Sequence, residues 1–444
     1  MWTDRVLILL IRRMFFWLTY TPRRWGVFVF VLAFLFRLLF CMVVFGWLST
    51  QVHTTWRWSL NDGYDTIASN LVSFGVYGFS PGIPTAQRLP VYPLFLAGIM
   101  RWSGEYFVFW TQVVQSVVSA GSVWLTFQLA YRLCSMRAGI ITSLFCAFYP
   151  NWILYAARPF TETVFTFLVL AFLTCFTRAL ITYPRVLSTV GAGIFLGLSL
   201  LTRGTMVLYL FWFAFMSLVV SPFRNRRFYQ VLLVVGLIAG TVMLPWMARN
   251  YLRSNRFIPL TSLSSDAAIH GLYVADHYFN DTRRGLDLDE AGHALRREVL
   301  NALSREPADE DNPIAWELKQ EKCCQQFWRD TIWARPWHYT LMFARNTIAL
   351  WFLSFHGGTT VLAAVIHLPL VLLFIWALIS PSSRTKGAGH IVLTLTILYF
   401  VWFHALIYPH QRYVTPIIPL LLILFLGSKA RLAQWLVGVE EAAD

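Results

Sequence analysis

The chain has 444 residues, of which 57% are hydrophobic and only 13% charged, with a mean hydropathy of +0.57 and a net charge of +14. So few charges could not cover a soluble domain of this size, so the expected class is an all-α polytopic membrane protein. The basic excess is explained by loops on one side of a bilayer, and nucleic acid is excluded as a partner.

Residues 1–25 read as a cytoplasmic interfacial segment, because their apolar core is too short for a signal peptide and runs on into arginines. An N-terminal membrane module, 26–248, opens with a span at 26–48. A polar loop at 49–105 follows and carries NDGYDTIASNL at 61–71. Acids are scarce here: residues 1–265 hold only Asp4, Asp62, Asp65, Glu105 and Glu162, so the pair in this loop calls for a reason. The next spans cover 106–131, 138–156, 160–180, 187–203, 205–221 and 229–248. The linkers RLCSMR, TRALITYPR and SPFRNRR are basic and fall alternately on the side of the N-terminus, which puts the 49–105 loop outside.

A second external segment, 249–358, includes 249–337, which holds 14 of the 22 acids. DLDEAGHALRREVLNALSRE is an amphipathic helix pattern, and a second helix opens with Asn312 as cap and Pro313 in its first turn. The apolar piece 338–355 reads as a juxtamembrane or re-entrant helix, because only then do SPSSRTK and SKARLAQ remain inside. The C-terminal helices span 359–380, 389–407 and 413–428, giving about ten crossings in all and a cytoplasmic tail at 429–444. The six cysteines show no metal spacing and read as structural.

With this orientation the outer face collects Asp62 and Asp65, Arg88, Arg158 and Glu162, Arg203, Arg249 with Arg253 and Arg256, and His410 with Arg412. Arginines outside run against the positive-inside bias, and a bound phosphate supplies a reason, because guanidinium grips phosphate in a bidentate fork. Plainer readings stand beside this one. Asp62 could cap a helix over 63–74 with Asp65 in its first turn, and Glu162 could pair with Arg158 four residues earlier. Arg88 could snorkel to headgroups, Arg249 to Arg256 could bind lipid, and His270 could be an ordinary loop histidine.

Taken in order, these residues resemble the GT-C superfamily of polyprenyl-phosphate-sugar glycosyltransferases. The nearest branch is the bacterial dolichyl-phosphate-mannose–protein mannosyltransferase (family 39) and lipid A aminoarabinose transferase group. The resemblance rests on Asp62, Tyr64, Ala68, Asn70-Leu71 and Gly75-Val76-Tyr77, then Arg88-Leu89-Pro90-Val91-Tyr92-Pro93. It continues through Thr161-Glu162, Leu201-Thr202-Arg203, Pro245-Trp246 with Arg249-Asn250, and Arg412-Tyr413 with Pro416. Two departures stand out: Asp62 lies only two residues before Tyr64, and Leu89 replaces a proline.

The resemblance implies a GT-C-like bundle at the inner (plasma) membrane with its site on the external or periplasmic face. It implies inverting transfer of a hexosyl or pentosyl unit from a polyprenyl-phosphate donor to a hydroxyl of a protein, glycolipid or polysaccharide. The implied general base is Asp62 or Asp65. Arg203, Arg249, Arg412 and Arg88 are implied to meet the donor phosphate, and Tyr64, Tyr92, Glu162, Arg158, His410 and Tyr413 to contact substrate. No metal or other cofactor is expected. One rival is a ligase or polymerase of the O-antigen type using a lipid-pyrophosphate donor. The other is a lipid-linked saccharide transporter, which needs repeats and mid-span ionisable groups, and Arg37 is the main deep charge.

Overall fold

A computed structural model gives the structure of residues 21–45, 62–181, 186–273, 296–301, 312–353, 357–379 and 387–437. Among these residues the regular backbone is helical apart from one isolated bridge, Ser80 with Ile83.

Helix α1, Pro22–Phe40, starts where the Thr21 hydroxyl accepts from the Arg24 amide at 3.4 Å, with Pro22 in the first turn. Trp25, Val29, Ala33 and Arg37 recur every fourth residue and form its buried face, while Val27, Leu35 and Leu39 stay exposed. A deep arginine on a buried face must be satisfied locally, and Arg37 is. It donates to the Ser119 hydroxyl at 2.7 Å and to the carbonyls of Ala33, Ala147 and Cys146 at 3.0, 3.0 and 3.1 Å.

The loop expected at 49–105 contains two helices among its described residues. Helix α2, Tyr64–Phe74, lies between Gly63 and Gly75, both left-handed with φ of 68° and 69°, and the Gly75 amide closes the last turn on Leu71. Helix α3, Val91–Ser103, is apolar and packs Tyr92, Leu96 and Ala97 against Val164 and Leu168. Polarity was therefore a poor guide to this part of the loop.

Helix α4, Phe107–Leu133, is followed by α5, Met136–Phe148, and α6, Pro150–Ala156, which are bent 52° from each other at the Tyr149-Pro150 step. Then come α7, Thr161–Ile181, α8, Val186–Leu200, and the short α9, Tyr209–Met216. Helix α10, Arg226–Ser254, continues through an internal Pro245. Gly193 and Gly197 let α8 lie against it: a Cβ on either would come within 2.7 Å of Ile238 or Val242.

Beyond α10 lie α11, Asp266–Tyr273, α12, Pro313–Ala334, and α13, Pro336–Ala349. The bundle ends with α14, Gly357–Ile379, α15, Ala388–Ile407, and α16, Ile418–Val437. The Asn312 cap is present, its side chain accepting from the Ala315 amide at 3.0 Å. Of the helix expected over 287–306, the described residues 296–301 are helical, and the remainder lies outside the described residues. So do residues 1–20 of the expected N-terminal segment, while α16 carries the chain helically into the expected tail.

Each of the ten expected crossings overlaps helical backbone among the described residues, but they are unequal. Among the described residues six stretches are long and apolar enough to cross, seven if the bent α5–α6 pair counts as one. Val186–Leu200, Gly204–Met216 and Ile418–Ser428 are shorter apolar helices. Helix α13 is 14 residues long. At ~1.5 Å per residue it reaches roughly 21 Å, short of the ~30 Å hydrocarbon core. It buries Met342 and Asn346, leaves Trp337 and Leu341 exposed, and is tied to α15 by Asn346 donating to the Ala405 carbonyl at 3.0 Å.

Candidate active site

The acids and arginines meet where α2 and α7 begin, α8 ends, and the 408–413 segment leaves α15. Glu162, in the first turn of α7, is 2% exposed, and a buried carboxylate needs cationic partners. It has two: Arg203 reaches Oε1 with Nη1 at 2.6 Å, and Arg412 reaches the same oxygen with Nε at 2.9 Å. The Thr161 hydroxyl donates to Oε2 at 3.3 Å. Arg412 extends its Nη2 to Asp62 Oδ2 at 3.6 Å, so it bridges a buried and a partly exposed carboxylate. Asp62 is fixed from behind by its own carbonyl, which accepts from Arg88 Nε at 3.0 Å.

Aromatic faces complete the support. Tyr413 lies beside both guanidiniums, with Arg203 4.7 Å and Arg412 5.5 Å from its ring centre, and it stacks on His404 at 4.7 Å. His410 shapes the turn beneath: its Nδ1 accepts from the Arg412 amide at 3.1 Å. Burial, then the charges of Arg412 and Arg203, hold the His410 imidazole well below its ordinary range, so it stays neutral at pH 7. Burial alone would lower the Arg412 guanidinium, but Glu162, Tyr413 and Asp62 outweigh it and hold the group well above its ordinary value. Arg203 is raised too, with Glu162 outweighing burial.

The outer wall is Tyr64 under Arg88, whose guanidinium carbon lies 5.7 Å from the ring centre. Tyr64 meets Tyr92 edge-on at 5.3 Å. Tyr92 is buried and donates to Gln115 Oε1 at 2.7 Å, and Gln115 in turn donates to the carbonyls of Ala156 at 3.1 Å and Arg158 at 2.7 Å. Gln112 donates to the Ala157 carbonyl at 3.2 Å. These two glutamines hold the turn that delivers Glu162. Sequence reading missed them, although the stripe Gln112, Gln115, Ser116, Ser119 inside an apolar run was the available signal.

Several expectations need correction. Asp62 is not the cap of α2; Gly63 occupies that position without a side-chain hydrogen bond, and the Asp62 carboxylate turns to Arg412. Asp65 lies in the first turn, where a negative charge suits the helix dipole. Glu162 pairs with Arg203 and Arg412 instead of Arg158, because the chain turns at 157–160 and α7 begins only at Thr161. Arg158 is half-buried, and burial lowers its guanidinium. Tyr92 and His410, expected at the substrate, are buried side chains.

Arg249 belongs to a different station. It donates to the Thr85 carbonyl at 2.7 Å, Asn250 Oδ1 at 2.9 Å and the Tyr77 carbonyl at 3.3 Å. It lies 5.1 Å from the ring centre of Tyr77 and 4.9 Å from that of Trp246. The same loop is pinned by Glu317, which accepts from the hydroxyls of Thr85 and Ser262 at 2.5 and 2.6 Å and from the Ala86 amide at 3.0 Å. Arg253 and Arg256 are exposed, and His270 is buried in α11 beside Tyr408. Among the described residues no group of three or more His, Cys, Asp or Glu side chains is placed to hold a metal.

Behind the cluster, between Phe165, His404 and Pro416, there is no room for a solute. A larger cavity of about 500 Å³ opens between α11, α12, α13 and α15. Its walls are apolar and aromatic, with Trp328, Trp333, Tyr339, Phe343, Trp402 and Leu406. The last turns of α15 that line it lead directly into the 408–413 segment.

No protein-family model matches the chain, and no curated protein sequence matches it. Solved structures do. Archaeal oligosaccharyltransferase AglB from Archaeoglobus fulgidus, in complex with an inhibitory peptide and a dolichol-phosphate, superposes with a TM-score of 0.55 at 15% identity, covering 95% of this chain and 52% of AglB. The same enzyme tethered to an acceptor peptide gives 0.51 at 14% identity, over 91% of this chain and 49% of AglB. ArnT from Cupriavidus metallidurans bound to undecaprenyl phosphate gives 0.39 at 11% identity, over 83% and 73%, too low to carry weight. This chain thus spans about half the length of AglB. Over these lengths the chain shares the fold of AglB.

Proposed function

We propose that the chain is a membrane glycosyltransferase that moves a sugar from a polyprenyl-phosphate donor to an acceptor hydroxyl, with inversion, on the external face of the plasma membrane. The observation that carries this reading is Arg412 bridging buried Glu162 and partly exposed Asp62. Glu162 holds Arg203 and Arg412 rigidly charged at a membrane boundary. Preorganised guanidiniums of this kind suit the charge that develops on a departing phosphate. The carbohydrate-transferring AglB, whose structure holds dolichol-phosphate, lends the fold and the kind of donor to the proposal.

In this mechanism Asp62 takes the proton from the acceptor hydroxyl as its oxygen attacks C1 of the sugar. The bond from C1 to the phosphate oxygen breaks, and the electron pair leaves on the lipid phosphate. Arg412 meets that phosphate, Arg203 backs it, and Arg88 orients the donor beside Tyr64. Asp65 supports α2, and Arg249 holds the loop without touching substrate. The isoprenoid chain lies along the apolar cavity beside α15. Guanidinium charge takes the place of a metal, and the outward face follows from the basic linkers on the other side.

The test is release of lipid phosphate by the purified protein from a panel of polyprenyl-phosphate sugars. Asp62→Asn should cut turnover by about 10²–10⁴, the usual weight of a general base. Asp65→Asn should stay within a few-fold, and chelator should leave the rate unchanged. Wild-type turnover in Asp62→Asn with an intact fold would remove the base assignment, and loss of activity on chelation, restored by a divalent cation, would remove metal independence.

A further inference from the structure

A second cavity lies at the opposite ends of helices that meet at the Glu162 cluster. From Gln115 onward α4, like α7, runs away from the Glu162 cluster, since Gln115 holds the carbonyls of Ala156 and Arg158 just before α7 begins at Thr161. At ~1.5 Å per residue, Arg178 lies roughly 24 Å along α7 from Glu162, close to the thickness of the hydrocarbon core. There, a cavity of about 370 Å³ is lined by Leu129, Arg132 and Leu133 of α4 and Thr174, Thr177, Arg178 and Ile181 of α7. That volume is in the range of small-ligand pockets.

The lining has an ordered chemistry. Two guanidiniums, Arg132 and Arg178, sit in the last turns of neighbouring helices, and Arg227 approaches the Ala179 carbonyl of α7 at 3.5 Å. Helix-end arginines alone would be unremarkable. The cavity between them is the second observation, and its threonines are the third. Thr174 and Thr177 donate their hydroxyl protons to the carbonyls of Leu170 at 2.7 Å and Leu173 at 2.6 Å. Their oxygens are therefore left as acceptors, suited to hydroxyl donors and not to the phosphate itself. Leu129, Leu133 and the half-exposed Ile181 supply an apolar edge.

We infer that this cavity binds the headgroup of an anionic phospholipid that carries hydroxyl donors, of the phosphatidylglycerol kind, on the membrane face opposite the Asp62 cluster. The phosphate is held by Arg132 and Arg178, and the headgroup hydroxyls donate to Thr174 and Thr177. The acyl chains leave past Ile181. Basic pockets between membrane helices are suited to such headgroups. This site is independent of the transferase reading.

The experiment is native mass spectrometry of the full chain released from nanodiscs of phosphatidylglycerol, phosphatidic acid or phosphatidylcholine. Retention of phosphatidylglycerol should exceed that of phosphatidylcholine and fall about tenfold or more in R132Q/R178Q. T174V/T177V, which keeps side-chain shape, should bring phosphatidylglycerol down to the level of phosphatidic acid. Monodisperse elution and unchanged helicity of each variant show that the comparison is between folded proteins. Equal retention of phosphatidylcholine, or wild-type retention in R132Q/R178Q, would overturn the site. Displacement of the lipid by excess inorganic phosphate alone would also overturn the lipid assignment and make this a site for the free anion.

Discussion

Arg249 lies near the end of one membrane helix and Arg412 just beyond the end of another, both against aromatic rings, yet they are held in opposite ways. Arg249 is spent on backbone: two carbonyls and an amide oxygen take its protons, and Tyr77 and Trp246 cover its faces. Arg412 is held by carboxylates, tightly by buried Glu162 and loosely by partly exposed Asp62. Carbonyl oxygens satisfy a guanidinium's protons without offsetting its charge, so such an arginine serves as a structural brace. A carboxylate held at 3.6 Å can be exchanged for a phosphate oxygen, so an arginine held this way can work on a ligand. Arg37, satisfied by one hydroxyl and three carbonyls, belongs with Arg249. Its satisfaction removes the main mid-span charge that a transporter reading would have used.

The largest effect should come from the group that holds the reactive pair. Glu162→Gln leaves two guanidiniums without their shared carboxylate, and breaking a buried ion pair from one side costs about 3–5 kcal/mol. We expect a matching loss in thermal or denaturant stability, together with loss of turnover. A variant of native stability would show that Arg203 and Arg412 do not depend on Glu162, and the contrast with Arg249 would lose its basis. Next, Arg412→Lys retains charge but loses the planar fork that reaches Glu162 and Asp62 together. Turnover should drop by about 10²–10³, the range for removing one preorganised donor, with little change in KM for the acceptor. A drop in stability with unchanged turnover per folded molecule would move Arg412 into the class of Arg249.

How much of this was legible in the sequence follows the same division. The all-helical, membrane-spanning class and most of the apolar helices were legible, because apolar runs are local signals, and so was the Asn312 cap. The cluster was legible in its members: Asp62, Arg88, Glu162, Arg203 and Arg412 were marked by charge placed where charge is costly. Its pairings were not, because Glu162 meets an arginine 41 positions away and another from the far end of the chain. The local i−4 rule pointed to Arg158 only on the assumption that α7 began earlier than Thr161. The partners of Arg249 were hidden for a similar reason. Its carbonyl partners lie 164 and 172 residues away, and carbonyls leave no mark in a sequence. The glutamines of α4 were overlooked because a polar residue inside an apolar run reads as a minor blemish until its partners are known.

Arg249→Lys sharpens the comparison from the other side. Lysine keeps the charge but loses the several directed donors and the stacking between Tyr77 and Trp246. The loop pinned by Glu317 should loosen, with a stability loss of about 1–3 kcal/mol. Turnover per folded molecule should stay within a few-fold of wild type. A loss comparable to that of Arg412→Lys, at native stability, would place Arg249 on the substrate after all.

The smallest effect tests how the Arg412 turn is kept in place. His410 is held well below its ordinary range by burial, then by Arg412 and Arg203, with Tyr408 and Tyr413 packed against its ring. A histidine whose folded value is depressed stabilises the fold fully above its unfolded value of about 6.5. As pH falls below that, the unfolded chain takes up the proton first, and stability is lost at up to ~1.4 kcal/mol per pH unit. The other buried histidines are common to both proteins, so the informative quantity is the difference between wild type and His410→Asn. Asparagine offers Oδ1 where Nδ1 accepted the Arg412 amide, so the turn should survive while the acid-side slope becomes shallower. Identical slopes in the two proteins would mean that His410 takes up its proton in the folded state without cost. The turn beneath Arg412 would then rest on Tyr413, His404 and the Thr415 hydroxyl, which donates to the Arg412 carbonyl at 2.7 Å.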